Sequence, residues 1–327
     1  MRSSKKRLTL FAHWDPDSII DDTVILYLKK LKEVSDIIFY SDCELSNVEL
    51  KKITAYTVKY GAERHCEYDF GSYKRAYHLA EDSLSCYDEL ILANDSCYGG
   101  FMSFQHIFSD MKHSEVDYWG LFEYANECRF KQFHLQSFFL VFKKKVFMHA
   151  EFSNFINSIK KLNNKIQIIE RYEIGLSSHL EKCGFTRNSV IPPTHKNKAY
   201  MLCALDLITS HKIPIIKRDL LAINPHNGMG FEAKLISLNL KKDFLIPMLK
   251  HLNRTSRGDY AAHWYKSAIP AHILHEKFIR LKIAVVKKRY SIKVKIFGVS
   301  IPWLRITMNP PSTHQKILAE ITRTLDA

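Results

Sequence analysis

The strongest constraint on the fold is an alternation of strand and helix patterns along the first hundred residues. The segments RLTLFA (7–12), DIIFYS (36–41) and YDELILA (87–93) have the composition of buried strands, and amphipathic helical patterns separate them. Strands that alternate with helices form parallel sheets with right-handed crossovers. The sequence therefore predicts an α/β fold with a mostly parallel sheet flanked by helices.

Further patterns extend this order to about residue 185. Helices are predicted near residues 20–34, 48–58, 73–84, 103–111, 146–159 and 174–182, and strands near 118–122 and 133–142. The last helix would end at Gly184 in a left-handed cap. The segment TRNSVIPPTHKNK (186–198) contains two prolines and no apolar periodicity, which indicates a linker or a lid.

These patterns predict two domains, residues 1–185 and residues 186–327. The second is expected to be a basic, mixed α/β region with helical segments, a pair of basic strands within 287–308 and a final helix from about Ser312. No internal repeat or low-complexity segment interrupts this order.

The net charge of +14 is unevenly distributed. Residues 1–140 contain 16 Lys and Arg against 22 Asp and Glu, whereas the remainder contains 32 against 12. A basic half favours nucleic acid, an anionic membrane surface or phosphorylated substrates, although a solvated surface explains it equally well. The sequence has no pattern of a recognition helix, zinc finger or RNP-like strand, so we expect no specific nucleic-acid partner.

Apolar patterning and cysteine usage indicate a cytoplasmic protein. No apolar run reaches the ~18 residues that a membrane-spanning helix needs, and the basic amino terminus lacks the pattern of a secretory signal. The seven cysteines are odd in number and form no C-x-x-C pair, which favours reduced, buried thiols over disulfides or a zinc site.

Ionisable residues follow two of the predicted strands. His13 and Asp15 come after the first strand, and Asn94 and Asp95 come after the strand at 87–93. Because the carboxyl ends of parallel strands meet at one edge of a sheet, and open α/β sheets bind ligands there, we expect these residues to line a nucleotide pocket. Ordinary turns or helix caps are the alternative at both positions.

The segment YDFGSYK (68–74) combines a carboxylate, a glycine and a helix start. Asp69 would accept hydrogen bonds from a base or ribose, and Gly71 would let the backbone approach a ligand. Lys74 is unfavourable for the helix dipole in the first turn unless an anion lies nearby, which points to a phosphate. The same pattern is also typical of an ordinary helix cap.

Polar residues interrupt the apolar segment 133–142. His134, Gln136 and Ser137 need hydrogen-bond partners if they are buried, and either a polar ligand or the backbone of the protein would supply them. Trp119 would offer an apolar platform to a ring of such a ligand.

The segment IPIIKRDLL (213–221) adds two adjacent basic residues. Lys217 would contact a diphosphate as a compact positive charge, and Arg218 would do so as a planar fork. Because neighbouring residues on a helix face different ways, at most one of them is expected at the site, and Lys217 is the candidate donor-binding residue.

The resemblance to a known family is carried by segments that occur in order: FAHWDPDSIIDD, YDFGSYK, ELILANDSCYGG, WGLF, HLQSFFLVFKK, RYEIGLSSHL and IPIIKRDLLAINP. Together they resemble the rhamnan synthesis protein F family of bacterial polysaccharide glycosyltransferases, over about residues 7–226. The resemblance implies a GT-A-like, Rossmann-type fold that transfers a deoxyhexose, typically rhamnose, from a nucleotide diphosphate donor.

The resemblance also implies a metal at Asp95. GT-A-like enzymes hold a divalent metal between the donor phosphates with a short acidic motif after a core strand, and NDS (94–96) is similar to a reduced form of that motif. Mg²⁺ or Mn²⁺ suits carboxylate and phosphate oxygens and needs only one or two protein carboxylates. Such a metal would neutralise the charge of the leaving diphosphate.

Glu173 is the candidate catalytic base. Inverting transfer needs a group that accepts the proton of the acceptor hydroxyl, and RYEIGLSSHL resembles the late helix start that carries this acid in GT-A-like inverting enzymes. Glu170 and His179 are rival candidates. A retaining enzyme would not require this base.

The resemblance implies partners as well. The donor would be dTDP-rhamnose or a UDP- or GDP-sugar, and the acceptor a lipid-linked saccharide of a rhamnan, O-antigen or similar polysaccharide at the inner face of the cell membrane. The basic second half, with Trp264, Tyr265, Trp303 and KKRYSIKVK (287–295), suits peripheral docking on an anionic membrane surface. A retaining hexosyltransferase of the same pathway and a non-catalytic assembly partner are the alternatives.

Overall fold

The computed structural model describes residues 5–124, 134–191, 208, 210–222 and 240–255, together with three strands between residues 281 and 307. The chain divides into two compact units, Met1–His226 and Asn227–Ala327. Residues 187–191 and 215–222 therefore lie in the first unit, beyond the boundary predicted after residue 185.

An eight-stranded sheet forms the centre of the first unit. Its first half contains β1 (Arg7–His13), β2 (Asp36–Ser41), β3 (Lys59–Ala62) and β4 (Glu89–Asn94), which pair in parallel in the order β3-β2-β1-β4. The crossovers contain α1 (Asp22–Lys32), α2 (Asn47–Lys51) and α3 (Tyr68–Ala80). The parallel register sets Ala12 opposite Asn94, so β1 and β4 end at the same edge.

The other half of the sheet is mixed. It contains β6 (Tyr118–Tyr124), β7 (His134–Leu135), β8 (Phe139–Lys143) and β9 (Arg187–Ile191). Strand β8 is antiparallel to both β4 and β6, β7 is antiparallel to β6, and β9 is parallel to β6. Four of the seven pairings among the described strands of this sheet are parallel, so the predicted α/β class with a mostly parallel sheet is confirmed.

Two short strands lie outside the main sheet. Strand β5 (Cys97–Gly99) follows β4 almost directly and pairs antiparallel with β10 (Ile215–Lys217). The helix Arg218–Ala222 begins immediately after β10. This ladder brings a segment from more than a hundred residues later in the chain to the carboxyl end of β4.

The remaining helices of the first unit are α4 (Gln105–Asp110), α5 (Lys144–Phe147), α6 (Ala150–Asn157), α7 (Lys165–Ile168) and α8 (Gly175–Lys182). A π-helical turn, Ile169–Ile174, joins α7 to α8. Short 3₁₀ segments occupy Glu81–Cys86 and Met111–His113. As predicted, Gly184 follows α8 with a positive φ of 84°.

Aromatic side chains dominate the core between the sheet and the helices. Tyr172 of the π-helical turn and Leu176 and Leu180 of α8 are buried in the same cluster as the inner face of α3, which includes Tyr73 and Tyr77. Full burial of one such side chain contributes about 2 kcal/mol. Helix α3 and the 165–182 helix are therefore fixed on the sheet by apolar packing.

Two predicted elements were wrong for local reasons. The helix predicted over 48–58 ends at Lys51, since the hydroxyls of Thr54 and Thr57 donate to the carbonyls of Lys51 and Ile53 at 3.0 Å and favour a turn. Strand β3 then occupies 59–62. Residues 187–191, predicted as part of a linker, form β9 beside β6.

Two further elements are divided rather than continuous. The strand predicted over 133–142 is interrupted at residues 136–138, between β7 and β8. The helix predicted over 146–159 is divided into α5 and α6, because the His149 side chain caps α6 by accepting from the Glu151 N–H.

The second unit contains a helix, Lys242–Thr255, and an antiparallel sheet of β11 (Leu281–Val286), β12 (Arg289–Ile296) and β13 (Val299–Thr307). The predicted pair of basic strands is confirmed as β12 and β13. Trp264, Tyr265, Lys287, Lys288 and the predicted final helix lie outside the described residues. Among the helices that the structure does describe, none has the length and apolar character of a membrane span.

Candidate functional site

The ends of β1 and β4 bring the predicted residues of both strands together around Asp95. Asp95 is 5% exposed, and its Oδ2 accepts the Trp14 N–H at 3.2 Å. The same oxygen lies 3.9 Å from Nε2 of His13 and 3.5 Å from Nη1 of Arg218. A buried carboxylate is thus held beside a guanidinium, at the edge where open α/β sheets bind ligands.

His13 and Asp15 are fixed by neighbours rather than solvated. Burial and the Arg218 charge lower the pKa of His13 to about 3, so its imidazole is neutral, and its Nδ1 lies 2.8 Å from the Ser41 hydroxyl. Asp15 is buried, and its Oδ1 accepts the Asp17 N–H at 2.9 Å. The charged contact of Asp95 is therefore with Arg218 and not with His13.

Asn94 connects Asp95 to the amino-terminal turn of α3. Its Nδ2 donates to Oδ2 of Asp69 at 2.9 Å, and its Oδ1 accepts from the backbone N–H and the hydroxyl of Ser96 at 3.1 and 2.5 Å. Burial, followed by the nearby Asp95 charge, raises the pKa of Asp69 to about 7, while Lys217 opposes this shift. Burial also raises the pKa of Asp95, and the positive charges of Arg218 and Lys217 oppose that shift.

Both Lys217 and Arg218 reach this cluster, whereas the sequence predicted that at most one of them would. Lys217 Nζ donates to the Ser96 hydroxyl at 2.6 Å, and the Arg218 N–H donates to the Ser96 carbonyl at 2.9 Å. The prediction assumed that both residues lie within a helix. Lys217 instead ends β10 and Arg218 starts the following helix. The pairing of β10 with β5 therefore brings both residues to the carboxyl end of β4.

The sequence indicated Arg218 only as the alternative to Lys217 at the site, and it did not indicate Ser96. The sequence signal for Ser96 was its place in the NDS motif, directly after Asp95. The signal for Arg218 was only its position beside Lys217, because the contact depends on a strand pairing that no local pattern indicates.

A second cluster surrounds Glu173. Ser137 Oγ donates to Oε2 of Glu173 at 2.8 Å, and His134 Nε2 lies 3.3 Å from Oε1. His134 and Ser137 are buried, whereas the Glu173 side chain is 17% exposed. Each carboxylate oxygen of Glu173 is therefore oriented by one buried side chain, and the group still reaches solvent.

The position of Glu173 differs from the prediction. The sequence placed it at a helix start, but Asn164 caps the helix by accepting the Gln167 N–H, and Glu173 lies in the π-helical turn within the continuous 165–182 helix. π-Helical turns often occur at functional sites, because the extra residue redirects a side chain. The rival His179 contacts Glu151 instead, at 3.3 Å.

Residues 134–138 join the two clusters. The Tyr73 hydroxyl donates to the Ser137 carbonyl at 3.1 Å, and Lys217 Nζ lies 4.8 Å from the centre of the Phe138 ring. The buried Oε1 of Gln136 accepts no hydrogen bond from the residues that the structure describes. The turn that replaces the predicted continuous strand thus connects the Asp95 and Glu173 clusters and carries an unused acceptor.

Two predicted site residues, Trp119 and Lys74, have structural contacts instead. Trp119 is 2% exposed and packs edge-on against Phe108 at 5.5 Å in the core, so it offers no surface to a sugar. Lys74 Nζ donates to the carbonyls of Asn157 and Ile159 at the end of α6. These contacts explain the position of the lysine without a bound phosphate.

Gly71 lies within α3 rather than in a loop before it. A Cβ there would come within 2.3 Å of the Glu67 Cβ and 2.7 Å of the His65 ring. Glycine is therefore required by the close packing of the preceding loop, and the approach of a ligand is not needed to explain it.

The residues around Asp95 do not fit a resident divalent metal. Oδ2 of Asp95 already accepts the Trp14 N–H and lies beside the Arg218 guanidinium. Lys217 adds a second positive charge, which would repel a cation. Within the described part of the chain, the grouping of three metal-ligating side chains is Glu151, His179 and Cys183, on α6 and at the end of α8. The metal predicted at Asp95 therefore does not fit the residues that surround this carboxylate.

Comparisons with known proteins identify a family and several distant relatives. The model of the family Rhamnan synthesis protein F matches residues 37–297. An uncharacterized protein of Sinorhizobium fredii, y4gN, is 24% identical over 189 residues, which make up 57% of this chain and 49% of that protein. The chain thus spans about half the length of this curated relative.

Two solved structures have a distant similarity to part of this chain. Core-mannan synthase A from Aspergillus fumigatus, in a Mn/GDP form, is 11% identical and has a TM-score of 0.30, with 48% of this chain and 64% of that chain covered. The mannosyltransferase Ktr4p from S. cerevisiae is 10% identical at a TM-score of 0.32, with coverage of 46% and 59%. Because the family model matches most of the length of this chain, the chain belongs to the rhamnan synthesis protein F family.

Proposed function

We propose that this protein is a glycosyltransferase that moves a sugar from a nucleoside diphosphate donor to a hydroxyl group of a saccharide acceptor. The observation that carries the proposal is the joining of two clusters by residues 134–138: a cationic pair at the ligand-binding edge of the sheet, and an oriented carboxylate beside it. Membership in a family named for rhamnan synthesis supports the same class of reaction.

The donor site is assigned to the ends of β1 and β4. The diphosphate carries the charge that Lys217 and Arg218 would balance, while His13, Asp15, Asp69 and Asn94 form the polar wall next to it. The buried Gln136 Oε1 is proposed to accept a hydrogen bond from the transferred sugar or the acceptor, while the Ser137 hydroxyl donates to Glu173.

Glu173 is proposed as the general base of an inverting transfer. The acceptor oxygen forms a bond to the anomeric carbon, the bond from that carbon to the diphosphate oxygen breaks, and the diphosphate leaves with the electron pair. Glu173 takes the proton of the acceptor hydroxyl as this occurs. Ser137 and His134 are positioning residues, because they hold the carboxylate through its two oxygens.

The family name and the charge distribution support a finer proposal. Rhamnose from dTDP-rhamnose is the proposed donor sugar, with UDP- and GDP-sugars as competitors, and a lipid-linked saccharide is the proposed acceptor. The 32 Lys and Arg after residue 140 support peripheral docking on an anionic membrane face in the cytoplasm.

The test is transfer by purified protein, followed by mass spectrometry, with dTDP-rhamnose, UDP-sugars and GDP-sugars and a lipid-linked saccharide acceptor. Glu173→Gln should lower turnover by about 100-fold or more. Glu170→Gln, three residues earlier on an exposed part of the same helix, is the matched control and should retain it.

The outcomes separate the candidate functions. Inverted anomeric configuration in the product supports the base at Glu173. Near-normal turnover by folded Glu173→Gln, with retained configuration, would identify a retaining enzyme. No transfer from any donor by folded protein would favour the non-catalytic assembly partner.

A further inference from the structure

Arg218 has more hydrogen-bonding capacity than its surroundings use. Its Nε is buried, and no described residue accepts a hydrogen bond from it. Nη1 lies 3.5 Å from Oδ2 of Asp95, which is longer than the ~2.8 Å of a strong charge-assisted bond. A buried, unpaired donor on a charged group is unfavourable, so the site is expected to receive an acceptor.

The position of the guanidinium is fixed by other contacts. The Arg218 backbone N–H is bound to the Ser96 carbonyl, and the guanidinium carbon lies 5.4 Å from the centre of the Tyr98 ring. Lys217 Nζ donates to the hydroxyl of Ser96, the residue after Asp95, and provides a second cation near the same carboxylate. A planar fork beside a compact ammonium matches two linked phosphates, because the fork binds two oxygens of one phosphate and the ammonium binds the other as a point charge.

We propose that Arg218 and Lys217 bind the donor diphosphate directly, without a divalent metal. Until the donor binds, the Asp95 carboxylate pairs with the Arg218 guanidinium in its place. This inference rests on the proposed function, since it assigns the ligand of the same edge of the sheet. Arg218 acts here as a donor-binding residue, and Asp95 as a competitor of the diphosphate.

The two accounts of Asp95 predict opposite effects of one substitution. If Asp95 held a metal, Asp95→Asn would weaken diphosphate binding. If Asp95 competes for Arg218, the neutral amide releases the guanidinium, and Asp95→Asn should bind diphosphate as tightly as the wild type or more tightly. Arg218→Gln removes the fork and should weaken binding about 10- to 100-fold.

The experiment is calorimetric titration of the full chain with dTDP and UDP and with the matching monophosphates, in EDTA and in Mn²⁺. Arg187→Gln, at an arginine of β9 that is paired with Glu123 and Glu181, is the matched control for loss of a positive charge. Thermal unfolding of every variant shows whether it is folded, and Arg218→Lys serves in place of Arg218→Gln if that variant unfolds.

We expect wild-type affinity for the diphosphate in EDTA to lie within about threefold of that in Mn²⁺, and Arg218→Gln to lose most of the preference for diphosphate over monophosphate. Diphosphate binding only with Mn²⁺ and abolished in Asp95→Asn would overturn the inference and leave the proposed function intact. Failure of folded wild type to bind any nucleotide under either condition would overturn both.

Discussion

The raised pKa of Asp69 leads to a stability change that can be measured without a substrate. This carboxyl faces Asp95 and the negative charge of Glu173, and its pKa rises from an ordinary value of 3.8 to about 7 in the folded protein. The folded state therefore holds the proton more tightly than the unfolded chain does. Stability falls as the pH rises from about 4 to about 7, and the loss is complete above that range.

The magnitude follows from the two pKa values. Each pH unit between them corresponds to about 1.4 kcal/mol, so the ionised Asp69 lowers the free energy of unfolding by up to about 4 kcal/mol at pH 8. At pH 5 the loss is about 1.5 kcal/mol, because most of the folded molecules then keep the proton. Asp69→Asn removes the charge and preserves an oxygen that accepts from Asn94 Nδ2.

We expect Asp69→Asn to be more stable than the wild type at pH 8, and its advantage to shrink by about 2.5 kcal/mol at pH 5. Urea unfolding at both pH values measures this difference. Asp110→Asn, on the exposed end of α4, is the control and should change stability little at either pH. A gain that is equal at pH 5 and pH 8, or no gain, would refute the electrostatic account of the cluster.

Other substitutions test the structural assignments. Gly71→Ala should lower the free energy of unfolding by about 1–3 kcal/mol, because the new Cβ meets Glu67 and His65; Gly175→Ala, with its nearest neighbour at 3.6 Å, should be neutral or stabilising in the same thermal measurement. Lys74→Met should lower the free energy of unfolding by about 1 kcal/mol, because carbonyls at the end of α6 lose their donor, and it should leave dTDP binding unchanged. Weaker nucleotide binding would restore the phosphate interpretation. Ser137→Ala should reduce turnover less than Glu173→Gln does and leave the affinity for dTDP unchanged; an equal loss would make the hydroxyl a catalytic group.

The alternation of strands and helices was sufficient to predict the half of the site formed by β1 and β4. Parallel pairing places their carboxyl ends at one edge whatever the details of packing, so Asp15, Asn94 and Asp95 could be grouped from sequence alone. The hydroxyl and amide contacts that then organise them follow from short local segments, such as NDS at 94–96.

Contacts that depend on packing between distant elements could not be predicted in this way. Arg218 reaches Asp95 only because β10 pairs with β5, and Trp119 faces the core because of where α4 lies. The continuous apolar pattern at 133–142 also concealed the turn at 136–138, since a buried turn and a buried strand share the same composition. Polar residues within that run were the sequence signal of the turn.

The most direct test of the donor site is hydrogen exchange followed by mass spectrometry, with and without millimolar dTDP or UDP. The account predicts slower exchange in peptides that cover residues 13–18, 94–98 and 213–218, and no change across α6. Protection confined to other segments of a folded protein, or none in any peptide with either nucleotide, would contradict a donor site at the ends of β1 and β4.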